Sequence, residues 1–200
     1  MRSLSRQSRR AREALLDSAR VKERAAEQLP EAIAAVVEVV IGALRAGHRV
    51  ALCGNGGSAA DAQHLAGELV GRFRRDRPAL AAFALTTDTS VLTAVANDFG
   101  YEQTFARQVE ALLGPGDVLI AISTSGNSPN VLEACRVAAA KGVRTIGMTG
   151  SGGGALKEMT EVCLCAPSED PPRIQELHIT AGHIICELVE EAFSGGDDGA

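Results

Sequence analysis

From residue 48 onward, short aliphatic and β-branched runs alternate with stretches of helical periodicity, and this alternation constrains the chain more than any other feature. The runs at 48–53, 80–86, 117–122, 143–149 and 161–166 read as strands. The stretches at 58–72, 89–113, 130–141, 155–159 and 172–193 read as helices, with Gly114-Pro115-Gly116-Asp117 and Ser151-Gly152-Gly153-Gly154 as turn signals. Strands joined through helices cannot pair as tight hairpins. They line up in parallel, so the predicted fold is a single α/β domain with helices on both faces of a parallel sheet.

Two helices precede the alternation. Residues 5–28 read as a polar, charged helix; Pro30 then opens a second helix that Gly47 is placed to end. That second helix is apolar nearly all round, through Ile33, Val36, Val37, Val39, Val40, Ile41 and Leu44. A helix with so little polar face is buried, and the expectation is burial against another chain. The predicted organisation is therefore a charged N-terminal helix at 1–30, the α/β domain at 31–193 and a frayed tail at 194–200.

With 200 residues, 46% hydrophobic and 22% charged, the chain has enough apolar surface for one core. Its net charge of −5 argues against nucleic acid as a partner, because no overall basic field gathers phosphates. Arg2, Arg6, Arg9, Arg10, Arg12, Arg20, Lys22 and Arg24 make the first helix locally basic, which reads as a solvated face. No apolar signal core stands at the N-terminus, and Val36–Leu44 is interrupted by Glu38 and too short to span a bilayer. A cytoplasmic protein without a membrane role is expected. Five cysteines, Cys53, Cys135, Cys163, Cys165 and Cys186, fit reduced thiols better than a disulfide framework; Cys163 and Cys165 share one face of a strand and read as core.

Ligands of parallel α/β sheets bind at the carboxyl ends of strands, where helix N-termini expose N–H groups that suit phosphate. Ile122-Ser123-Thr124-Ser125-Gly126-Asn127-Ser128-Pro129 has that position and four hydroxyls, and reads as a lysine-free phosphate cradle. Cys53-Gly54-Asn55-Gly56-Gly57-Ser58 also joins strand to helix, with glycines that permit close backbone approach. It lacks the Gly-Lys-Ser/Thr ending of a Walker loop. In the helix that follows, His64 and Glu68 lie one turn apart and can share a metal or divide acid and base work. The last helix carries Gln175, Glu176, His178 and His183; Gln175 and His183 stand about 80° apart around the axis and roughly 12 Å apart along it.

These segments resemble those of phosphoheptose isomerases of the sugar isomerase (SIS) domain family: CGNGGSAADAQHLAGELVGRF at 53–73, LTTDTSVLTAVANDFGYE at 85–102, ISTSGNSPNVLEA at 122–134 and RIQELHITAGHIICELVE at 173–190. The resemblance runs from residue 30 to 193 with the four blocks in the family's order. It implies conversion of sedoheptulose 7-phosphate to D-glycero-D-manno-heptose 7-phosphate through an enediol, at the start of nucleotide-activated heptose biosynthesis. It implies phosphate contacts from Ser123, Thr124, Ser125 and Ser128, and sugar contacts from Asn55, Gly56, Gly57, Glu68, Asn97, Asp98 and Gln175. Glu68 and His183 become the expected acid/base pair, Glu68 leading for the carbon-bound proton. One zinc per subunit is implied at His64, Glu68, Gln175 and His183. A homotetramer is implied too, with N-terminal helices packed together and active sites shared between chains. The rival is a non-catalytic relative that binds a replication-initiator partner; such relatives lack the acid and histidine that stand here as Glu68 and His183. Pro171-Pro172 and the strongly basic first helix depart from the family pattern.

Overall fold

A computed structural model describes residues 5–194; the arginine at position 2 and the tail beyond Ser194 lie outside the described residues. The chain begins with α1 (Arg6–Gln28) and α2 (Pro30–Arg45). Ser5 caps the first by accepting the Ser8 N–H at 3.2 Å, and Pro30, which has no N–H to lose, starts the second. Then follow β1 (Val50–Gly54), α3 (Gly57–Val70), β2 (Ala82–Ala84), α4 (Thr89–Phe99), a 3₁₀ turn at Tyr101–Gln103 and α5 (Ala106–Leu112). The second half runs β3 (Val118–Ile122), α6 (Pro129–Ala140), β4 (Arg144–Thr149), α7 (Gly154–Met159), β5 (Val162–Cys165) and α8 (Pro171–Phe193).

All four pairings are parallel, in the order β2-β1-β3-β4-β5. Successive side chains of a strand face opposite ways, so a sheet covered on both sides buries both sets. Val50, Leu52, Val118, Ile120 and Ile122 pack with α2, α3 and α8, while Ala51, Cys53, Leu119 and Ala121 pack with α5, α6 and α7. Asp117, nearly buried before β3, accepts N–H groups of Arg49 at 2.8 Å and Gly114 at 2.9 Å and so ties the entries of β1 and β3 together.

Two expectations change in detail. β2 is three residues long where the sequence suggests seven, because it is an edge strand paired on one side only. α2 is largely covered within its own chain: Val36, Val37, Val39, Val40 and Ala43 are buried against the sheet and α8, and its exposed line is Glu31, Ala34, Glu38 and Gly42. Cys163 and Cys165 do share a face, each half-buried, with their sulfurs 3.8 Å apart, and all five cysteines are unpaired. Among the described residues no helix is long and apolar enough to cross a membrane.

Candidate active site at the sheet switch point

Strand order reverses between β1 and β3: the chain leaves β1 toward one edge and β3 toward the other. Loops leaving the carboxyl ends of such a pair diverge and open a crevice. Both glycine- and hydroxyl-rich loops of the sequence leave from these two strands.

The β3–α6 loop is held in shape by its own hydroxyls. Ser123, 3% exposed, has its Oγ 2.9 Å from Ser128 Oγ and 3.5 Å from Ser125 Oγ, and the Asn127 N–H donates to Ser125 Oγ at 3.1 Å. Gly126 sits at φ +66, and a side chain there would collide with the Gly153 backbone. The next loop interlocks with it: the Leu156 N–H donates to the Gly126 carbonyl at 2.9 Å, the Ala155 N–H to Asn127 Oδ1 at 3.0 Å, and the Gly150 N–H to the Thr124 carbonyl at 3.0 Å. The loop therefore presents Ser123, Thr124, Ser125 and Ser128 ahead of the α6 N-terminus.

The β1–α3 turn is fixed from across the crevice. Asn55 and the buried Asn130 exchange amide hydrogen bonds at 2.9 Å in both directions, and the Tyr101 hydroxyl donates to Asn55 Oδ1 at 3.0 Å. The Asn55 amide thus binds protein, and Tyr101 draws the end of α4 toward this turn. Gly56 has φ +56, and a Cβ on Gly57 would stand 2.7 Å from the Gln175 amide nitrogen, so the glycine admits Gln175 from α8. Asn97 and Asp98 lie exposed on the last turn of α4 and hydrogen-bond each other at 2.8 Å.

Along α3, His64 and Glu68 do share a face, with Nε2 and Oε1 3.0 Å apart. His183, from α8, brings its Nε2 to 3.2 Å from His64 Nε2, and the ligand atoms of all three residues lie within 4.8 Å of one another. Their rings stack edge to face at 4.9 Å, and Phe73 backs His183 at 5.5 Å. One hydrogen on His64 Nε2 cannot serve both neighbours well, whereas a cation among the three atoms satisfies all of them. Two imidazoles and a carboxylate are a donor set that zinc accepts, so these residues fit a metal. Three of the four residues expected as metal ligands therefore come together here, while the Gln175 amide packs at Gly57.

Several neighbours carried no role in the sequence reading. Asp61, one turn before His64, has a buried Oδ2 without a partner; burial pushes its carboxyl above the ordinary value and the neighbouring His64 pulls it back in part. His178 is buried and its Nε2 lies 3.0 Å from the Thr149 carbonyl, so Nε2 carries the hydrogen and Nδ1 the lone pair. Burial lowers its pKa to about 4, against a smaller opposing effect of the Thr149 bond. Arg77 and Glu190 form a buried pair beneath the site. Nothing in local spacing marks the partnerships of Asn130, Arg77 or Glu190, since each spans more than 70 residues.

Comparison with known proteins gives a consistent result. The SIS domain family matches residues 15–150. A phosphoheptose isomerase of Roseiflexus sp. (strain RS-1) is 55% identical over 173 residues, 86% of this chain and 88% of that protein. One from Rhodospirillum rubrum is 56% identical over 162 residues, 81% of this chain and 86% of that one. Among solved structures, phosphoheptose isomerases of Neisseria gonorrhoeae and Francisella tularensis superpose with TM-scores of 0.87 and 0.90 at 42% and 36% identity. The first match covers 92% of this chain and 98% of the other, the second 94% and 100%.

Proposed function

Because the chain belongs to the SIS domain family and, within it, to the phosphoheptose isomerases, we propose that it converts sedoheptulose 7-phosphate into D-glycero-D-manno-heptose 7-phosphate. It is an aldose–ketose isomerase, and its product feeds the formation of nucleotide-activated heptose. The observation that carries this reading is the convergence of His64, Glu68 and His183 from two helices, on a fold whose β1–β3 crevice holds a hydroxyl-lined loop.

The reaction moves a proton between adjacent carbons and another between their oxygens, through an enediol. Glu68 takes the carbon-bound proton and returns it to the neighbouring carbon, while His183 exchanges the proton of the oxygens. Ser123, Thr124, Ser125 and Ser128 hold the phosphate ahead of α6, with hydroxyls and helix N–H groups in place of a cationic side chain. Gly56, Gly57, Asn55, Asn97, Asp98 and Gln175 bound the sugar, the glycines through exposed backbone.

Zinc, one per subunit, is the metal that the donor set favours, held by His64, Glu68 and His183; the family resemblance adds Gln175 as the fourth group, although its amide packs at Gly57 in this structure. When bound, zinc would polarise the sugar oxygens. Glu68 is thus a candidate both for holding a metal and for taking the carbon-bound proton, and His183 both for holding it and for exchanging the proton of the oxygens.

A homotetramer with sites completed by neighbouring chains is supported by apolar surface left open. No residue of α4 is buried, and Phe99 and Tyr101 are more than half exposed beside Asn97 and Asp98. A groove of about 360 Å³ between α1, α2 and α8 is lined by Leu29, Ile33, Leu177, Ile184 and Leu188. In this reading the N-terminal helix at 1–30 and the domain at 31–193 pack with other copies, and the protein works in the cytoplasm, as five unpaired thiols suit.

Incubating the purified protein with sedoheptulose 7-phosphate and following aldose formation by NMR tests the reading. Aldose must accumulate with the wild type; none from folded, zinc-replete protein refutes it for this substrate.

A further inference from the structure

The two helices that supply the candidate catalytic and metal-binding groups are joined below the site by charges that the chemistry does not use. Arg77, in the loop after α3, has a side chain with no solvent exposure. It donates through Nη2 to the backbone carbonyl of Glu68 at 2.8 Å and through Nη1 to the carbonyls of Gly71 at 3.3 Å and Pro78 at 3.1 Å. It therefore caps the carboxyl end of α3 at the residue whose carboxylate meets His64.

Glu190 faces Arg77 from α8, with Oε1 3.5 Å from Nε, and is 1% exposed. Its carboxylate also accepts three successive backbone N–H groups, Phe73 at 2.7 Å, Arg74 at 2.6 Å and Arg75 at 2.9 Å. Glu190 stands seven residues, about two turns, beyond His183, which puts both on one face of α8. The Phe73 that it grips by the backbone lays its ring against His183, 5.5 Å between centroids and 36° between planes. Glu190 thus reaches His183 from both sides, along the helix and through Phe73. The neighbouring pairs Arg74–Glu187 and Arg75–Glu191 lie near the surface, where water screens them.

We propose that Arg77 and Glu190 are positioning residues, a buried clamp that sets the spacing of α3 and α8 and thereby holds His64, Glu68 and His183 together, with Phe73 as the link to the His183 ring. The inference rests on the isomerase reading of that site. A buried pair of this kind is poor evidence for stability alone, because desolvation offsets most of the attraction. Its geometry instead fits fixation of the two helix backbones.

The test compares Glu190→Gln, Arg77→Lys and Phe73→Leu with Val109→Ala, a core change on the opposite face of the sheet that lowers stability without touching the clamp. Phe73→Leu leaves the charge pair intact and guards against loss of folding in the other two. Two readouts are taken well below each variant's Tm: kcat and KM for sedoheptulose 7-phosphate, and the NOE between the His64 and His183 rings in metal-free protein. The clamp predicts a fall in kcat of about tenfold or more, the scale seen when groups that orient catalytic ligands are removed, with KM within about twofold because the serine loop is untouched. The inter-ring NOE weakens with it, and Val109→Ala changes only Tm. Wild-type kcat and an unchanged NOE in folded Glu190→Gln and Phe73→Leu would overturn the proposal. A wild type without isomerase activity refutes the functional reading, and the NOE then still decides the clamp.

Discussion

The imidazoles of His64 and His183 meet Nε2 to Nε2 at 3.2 Å although 119 residues separate them in the chain. Each comes from a different helix, and His64 Nε2 also faces Glu68 Oε1 at 3.0 Å, so the one hydrogen it can carry cannot serve both neighbours well. The proposed proton transfer and metal binding both depend on this juxtaposition.

Removing either half of the proposed acid/base pair, Glu68 or His183, should separate catalysis from binding. Glu68→Gln keeps the shape of the side chain and removes its basicity; His183→Ala removes the partner. Each is expected to lower kcat by about 10²–10⁴-fold, the usual contribution of a positioned proton-transfer group. KM should move much less, since the proposed phosphate contacts lie in the β3–α6 loop. Steady-state kinetics on both variants checks this, and a kcat within threefold of wild type in either would remove that residue from the mechanism.

Metal binding should be measurable as stability. An ion that binds only the folded state adds about 2.7 kcal/mol at a hundred times its Kd. Zn²⁺ added to chelator-treated protein is expected to raise Tm with a stoichiometry of one per chain, and His64→Ala should abolish the rise. An equal rise in the variant would place the ion elsewhere.

Acid should destabilise the fold through His178 before it touches most carboxylates. The folded pKa of about 4 lies below the ordinary value of 6.5, because burial disfavours the charged ring. Between those values the unfolded chain holds a proton that the folded one does not, so stability is complete above about pH 6.5 and falls as pH drops toward 4. The full loss is about 3 kcal/mol from the size of the shift. Denaturant titrations from pH 7 to 4 should show it, and His178→Leu should flatten the slope over that range at the cost of lower stability at pH 7.

Much of this arrangement can be read from the chain alone, for a physical reason. The unbroken apolar runs at Val50–Gly54 and Val118–Ile122, buried at every position as strands covered on both faces must be, and the breaks at Asn55-Gly56-Gly57 and Ser125-Gly126, are local signals that need no partner to be recognised. The i,i+4 meeting of His64 and Glu68 is local as well. The brevity of β2 is not, because the run Leu80–Thr86 has strand composition throughout and only its edge position decides how much of it pairs. Nor are the contacts that tie distant segments: Asn55 with Asn130, Gln175 beside Gly57, Glu190 with the loop at 73–75. Each of those residues taken singly has the look of an ordinary polar surface position, and its burial is conferred by elements distant from it in the chain.

The loop at the end of β3 offers the sharpest test of the phosphate assignment, because two changes only three residues apart should act in different ways. Ser123→Ala deletes one hydroxyl from a nearly buried position while the backbone stays in place; its partner Ser128 Oγ, at 2.9 Å, can turn to another acceptor. Losing one hydrogen bond to a charged phosphate is worth about 1.5–3 kcal/mol, so KM should rise about tenfold or more with little change in Tm. Gly126→Ala instead forces a side chain onto φ +66 and into the Gly153 backbone, which cannot yield without parting the two interlocked loops. The left-handed conformation alone costs about 1–2 kcal/mol, and the collision adds to it. That variant should lose both Tm and phosphate affinity. Inorganic phosphate as a competitive inhibitor reads the same site without turnover: its inhibition constant should rise in both variants, and an unchanged constant in Ser123→Ala would mean that the phosphate sits elsewhere.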